Sequence, residues 1–159
     1  MPYQNKLAGL LPGAALLAAL LAAPTAAGAA HAADPDDTNR AAMRAFVDTA
    51  YGQKQVRKAY EAYAAADLVQ HNPNIADGRE AAIAEIEGLL KNPAAHFEVK
   101  HILVDGDMAA VHFRGSLGPG MGAAVVEVFR LKDGKIVEHW DAFQVMDPKV
   151  NARNPHPYF

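Results

Sequence analysis

Residues Val125 to Val145 read VVEVFRLKDGKIVEHWDAFQV, two β-rich runs joined by Asp133-Gly134. An Asp-Gly pair between such runs is the strongest short-range hairpin signal, because both central residues of a type I′ turn need positive φ. The strands carry Glu127, His139 and Asp141, ionisable groups that a sheet covered on one face normally excludes. Acids and a histidine set among Val, Phe and Trp point to the wall of a pocket.

The turn decides which groups share a face. In a two-residue type I′ turn, Leu131 pairs with Ile136, Glu127 falls opposite Trp140, and Glu127 and Asp141 point to opposite sides. With Lys132-Asp133-Gly134 as a type I turn and G1 bulge, Leu131 pairs with Lys135 instead. Glu127 then lies opposite His139 and Val125 opposite Asp141, so the three ionisable groups share a face with Phe129, Val137 and Phe143. Val126, Val128, Arg130, Glu138, Trp140 and Gln144 take the outer face, where Arg130 and Glu138 become neighbours. The bulged form is the expectation adopted here.

Upstream, residues 1–32 have the pattern of a secretory leader: Lys6, an apolar run from Leu7 to Leu21, and a small-x-small site at Ala30-His31-Ala32. Cleavage after Ala32 sends the remaining domain, residues 33–159, to the periplasm or the exterior. An uncleaved leader is the alternative, and the one route to membrane contact. The run is alanine-rich and holds Pro12 and Pro24, which suits a span of roughly 20 strongly apolar residues poorly. The chain has no cysteine, which excludes a lipoprotein anchor, disulfides and thiolate metal sites. Net charge is −3 with acids and bases interspersed, so nucleic acid and anionic surfaces are poor partners.

Periodicity predicts helices over Asn39 to Ala50, Gln53 to Ala66 and Arg79 to Lys91, with a short extended piece from Leu68 to Asn72 before Pro73. Strands follow over Phe97–Val104, Met108–Leu117, Ala123–Leu131 and Ile136–Met146. Helices first and an antiparallel meander after make an α+β domain. The tail from Asn151 to Phe159 reads as irregular, folding over the pocket or a neighbouring subunit.

With Gln70-His71-Asn72-Pro73, Asp77-Gly78-Arg79-Glu80, Ala110-Val111-His112, Glu127-Val128-Phe129-Arg130 and the run DGKIVEHWD from Asp133 to Asp141, the chain resembles the nuclear-transport-factor-2-like superfamily, closest to its SnoaL-like polyketide cyclase branch. The resemblance implies a cone in which three helices close a curved four-strand antiparallel sheet. It also implies a homodimer packed through the outer sheet face, where Trp140 and Val128 fit. In such cyclases a pocket carboxylate takes a proton next to a ketone, without a cofactor, and starts an aldol closure. Asp141 maps to that base, and His71, Asn72 and His112 are candidate donors to the enolate oxygen. Walled by Val125 and Phe143, such a carboxylate sheds hydration and gains basicity. Glu127 and His139 orient these groups or carry a second proton, with Phe129, Phe143 and Tyr63 against a small apolar or carbonyl-containing ligand.

Plainer readings stand beside these. Asp141 also suits a strand-end acid paired with Arg130 or Arg114, and His71 a turn before Asn72-Pro73. His112 suits a core position, and Tyr60 and Tyr63 suit the core or the pocket lining. No metal-ligand spacing links the histidines and acids. The functional alternatives are a lyase or isomerase acting on a carbonyl compound, a non-catalytic binding module, and a dimerisation unit.

Overall fold

The computed structural model describes residues 35–159; the leader and its cleavage site lie outside the described residues. Helix α1 (Pro35–Val47) opens on a proline, which fits a first helical turn whose N–H groups have no partner within the helix. It runs into one π-helical turn, Asp48–Gly52, that buries Ala50 and Tyr51. Helix α2 (Val56–Tyr63) follows, then strand β1 (Ala64–Gln70), α3 (Arg79–Leu90) and four long strands. These are β2 (His96–Asp105), β3 (Met108–Gly118), β4 (Met121–Lys132) and β5 (Lys135–Met146).

The sheet therefore has five strands, in the order β1-β5-β4-β3-β2. The strand beyond the four expected is β1, which takes residues 64–66 from the end of the predicted second helix and pairs parallel with β5. Alanines favour helix locally, but pairing with β5 supplies the backbone hydrogen bonds and overrides that weak preference. The other pairs are antiparallel.

The inner face of the sheet packs on the helices. Phe113, Phe129, Val111, Leu131, Ile136 and Leu68 from the sheet meet Met43 and Phe46 from α1 in a continuous buried core. Phe46 is its hub, edge-on to Tyr60 at 5.0 Å and to Phe129 at 5.7 Å. Each such fully buried side chain stabilises the fold by about 2 kcal/mol.

The last hairpin begins as the two-residue reading has it and then departs from both registers read from sequence. Asp133 and Gly134 have φ of 51° and 73°, as a two-residue type I′ turn requires, and Leu131 pairs with Ile136. One step on, the register shifts so that Arg130 pairs with Glu138, and Val137 is the extra residue of a bulge. Glu127 is thus opposite Asp141, Phe129 opposite His139, and Val125 opposite Phe143. The expected sharing of one face survives because the bulge restores parity, but Glu127 faces Asp141 instead of His139. Arg130 and Glu138 do pair on the outer face, at 3.0 Å.

Candidate functional site

A cavity of about 200 Å³ opens between the inner sheet face and helices α2 and α3. Strand β4 lends it Val125 and Glu127, and β5 lends His139, Asp141 and Phe143. Tyr60 enters from α2, while Ala82, Glu85, Ile86 and Leu89 enter from α3. Alternation along β1 and its extension does the rest: Leu68 is buried, and Gln70 and Asn72 line the same cavity.

Glu127 is the most deeply buried of the acids here, 8% exposed, and it accepts a hydrogen bond from the Tyr51 hydroxyl, 2.9 Å from Oε2 and 3.1 Å from Oε1. Burial pushes its carboxyl up to about 7; the Tyr51 hydrogen bond opposes this and the Asp141 charge adds to it. Burial and the same carboxylate push the Tyr51 and Tyr60 phenols well above their ordinary range. Asp141 is half-buried, and its Oδ2 accepts from Asn72 Nδ2 at 2.7 Å. The expectation that Asp141 would be the desolvated acid is thus met by its neighbour.

The hydrogen-bond pattern also fixes the histidine. The Asn72 backbone N–H can only donate, so the Gln70 side-chain atom it meets at 3.2 Å is the oxygen. His139 Nδ1 lies 2.7 Å from that same oxygen and therefore carries a hydrogen. Burial pushes the His139 imidazole below its ordinary value, which keeps it neutral. Gln70 Nε2 is buried without a protein partner among the described residues.

Of the residues singled out from sequence, Asp141, Asn72, Glu127, His139 and Phe143 line this cavity. His71 does not. It points to the outer face, stacked on Trp140 at 4.4 Å with Nε2 3.1 Å from Glu138. In an extended segment the residue between Gln70 and Asn72 must face the other way. His112 is on the outer face for the same reason, since its neighbours Val111 and Phe113 are fully buried inward. It stacks on Phe159 at 5.1 Å, so the tail folds onto the outer face, away from the cavity. Phe129 is buried in the core, beneath His139 at 5.0 Å, and Tyr63 packs against the core without lining the cavity. Sequence reading missed Tyr51, Gln70 and Phe97; period-2 alternation from Leu68 would have found Gln70.

A second, apolar cleft of about 430 Å³ shares Leu89, Phe97, Val125 and Phe143 with the first. Met121, Leu117 and Val145 extend it. Together they give a polar end and an apolar end with common walls. A larger space of about 560 Å³ beside the tail has Asp147 as the one acid among its described lining residues and brings no comparable cluster together.

A SnoaL-like domain model matches residues 43–139. Among curated proteins, none matches the chain. Several solved structures share the fold. A nuclear-transport-factor-2-like protein of unknown function from Mesorhizobium loti is 25% identical, with a TM-score of 0.60 over 72% of this chain and 97% of its own. A proposed ketosteroid isomerase from Kribbella flavida is 23% identical, with a TM-score of 0.60 over 79% and 87%. A proposed SnoaL-like polyketide cyclase from Jannaschia is 20% identical, with a TM-score of 0.58 over 70% and 89%.

Proposed function

The chain belongs to the SnoaL-like domain family, and on that footing we propose that it binds a small apolar carbonyl compound and removes a proton from the carbon beside the carbonyl, with Asp141 as base. One observation carries this reading: Asp141, Glu127 and His139 converge on the wall of a largely apolar cavity, with Asn72 holding the Asp141 carboxylate at 2.7 Å. A carboxylate fixed beside an apolar ligand is oriented for a C–H bond that water would otherwise compete for. The enolate oxygen needs donors, and Gln70 Nε2 and the second Asn72 amide hydrogen take the part that sequence reading gave to His71 and His112. Returning the proton to a different carbon gives isomerisation; attack of the enolate carbon on a second carbonyl gives aldol closure. Both are acid–base steps that need no cofactor. The names given to the Kribbella and Jannaschia relatives are both consistent with carbon-acid chemistry.

The test is deuterium exchange at the α-carbons of 2-tetralone, an apolar bicyclic ketone, followed by proton NMR. The wild-type protein exchanges them, and Asp141→Asn binds the ketone without doing so. Binding with no exchange by the wild type supports the non-catalytic module instead.

The proposal includes export through residues 1–32, checked by N-terminal sequencing of the exported protein, which should begin at Ala33. It also includes a homodimer through the outer sheet face. There Leu103, Ala110, Val128 and Trp140 form one cross-strand row over β2, β3, β4 and β5.

A further inference from the structure

Resting on that reading, we propose that Glu127 is the acid half of a carboxyl pair: it holds a proton and gives it to the ligand's carbonyl oxygen while Asp141 takes the α-proton. The arrangement is built by the sheet. Glu127 and Asp141 are direct cross-strand partners, and both line the same cavity. A charge on Asp141 raises the cost of a second charge on Glu127. The question is which one keeps the proton.

The surroundings answer it. Glu127 is buried and its side-chain hydrogen-bond partner is the neutral Tyr51 hydroxyl, whereas Asp141 is half-exposed and held by an amide. No lysine or arginine is among the described residues lining the cavity. The titratable groups facing Glu127 are Tyr51 from the π-helical turn, Tyr60 from α2, Glu85 from α3, and His139 and Asp141 from β5. Strand β3 offers apolar Val111 opposite. The phenols are held neutral, His139 is neutral with Nδ1–H committed to Gln70, and the remaining two groups are acids. No cation among the described lining residues compensates a negative charge on Glu127; the Tyr51 hydrogen bond favours that charge, but burial outweighs it and holds the carboxyl up to about 7.

The step balances. The α C–H bond breaks, its proton goes to Asp141, and its electron pair forms the carbon–carbon double bond. The carbonyl π pair moves to oxygen, which takes the Glu127 proton. The enol then collapses in reverse: Asp141 returns a proton to carbon, and Glu127 takes back the hydroxyl proton. Both carboxyls end as they began. A neutral acid at the oxygen spares the site a buried enolate charge beside two carboxyls.

The experiment compares wild type with Glu127→Gln, which keeps size and hydrogen bonding but carries no transferable proton. With 2-tetralone, wild-type exchange should fall as pH rises through about 7, following Glu127. The variant should be slower by about 100-fold below that pH and lack this alkaline fall. Difference infrared spectra of wild type minus variant should show a protonated carboxyl band at pH 6 that disappears as pH passes 7. An unchanged alkaline fall in the variant overturns the proposal. So does a band already lost near pH 5, as for a glutamate at its ordinary value of 4.5. If wild type exchanges nothing while the band persists to neutral pH, the base reading fails and the donor role falls with it. If exchange proceeds and the band is absent, only the donor role fails.

Discussion

Burying Glu127 sets the direction in which stability responds to pH. Its folded value, about 7, lies above the ordinary 4.5, so the folded chain holds this proton more tightly than the unfolded chain does. Its contribution is fully present below pH 4.5 and is lost as pH rises through 7, roughly 3 kcal/mol in all. His139 acts in the opposite sense: its depressed value adds stability above the ordinary 6.5, lost as pH falls. Glu127→Gln removes the glutamate's part alone. The variant should gain on wild type between pH 4.5 and 7 and be the more stable protein above that, measured by urea unfolding across this range. A gap that does not change with pH would contradict the buried protonated acid. Glu127 was legible from sequence, because a mid-strand glutamate in a valine run needs a partner. Its partner was not. Tyr51 reaches it from a π-helical turn, whose wider winding turns residues off the 3.6-residue stripe by which helical positions are read.

Elements are tied together by a second residue the sequence did not reveal. Asn39, buried in α1, donates from Nδ2 to Gly106 O at 2.9 Å and accepts from Gly134 N–H at 3.2 Å. One side chain thus anchors the β2–β3 and β4–β5 turns to the same helix. Gly134 suits this place because its φ is 73°, in the left-handed region that favours glycine. Asn39→Ala removes both of these part-buried hydrogen bonds and should cost about 2 kcal/mol in denaturant unfolding. A loss within a few tenths would mean that the turns hold themselves. The elements show where sequence reading stops. The four long strands and α3 follow from local alternation, helical spacing and Asp-Gly or Asn-Pro breaks, all carried within a few residues. Strand β1 does not, because its partner β5 lies about 70 positions away, and the Val137 bulge does not, because nothing in its local pattern marks it. Between Asp133 and the site, Val137 decides which residue Glu127 faces, and no composition rule marks it.

At the scale of the whole molecule the two sheet faces divide the work. The inner face builds the polar cavity and its apolar extension, the two ends that the proposed carbonyl ligand with a hydrocarbon body would occupy. The outer face carries the row from Leu103 to Trp140 that the proposed dimer would cover. Leu103 is 66% exposed, so Leu103→Lys should cost the monomer little while placing a charge in the interface. Light scattering should give the mass of two chains for wild type and of one for the variant. A monomeric wild type would remove the pairing and leave the cavity reading untouched. The α+β fold and the hairpin's inward acids were legible from sequence; His71 and His112 face the outer side because alternation sets their neighbours Gln70, Asn72, Val111 and Phe113 inward.

The central claim is that Asp141 is the base in a cavity shaped by that hairpin. Its most direct measurement is the ratio of α-exchange rate constants for saturating 2-tetralone, wild type over Asp141→Asn, near pH 6 with the ketone's Kd measured for both. A ratio on the order of 100 or more at nearly unchanged Kd is expected. A ratio near one, with both proteins exchanging the ketone, would contradict it.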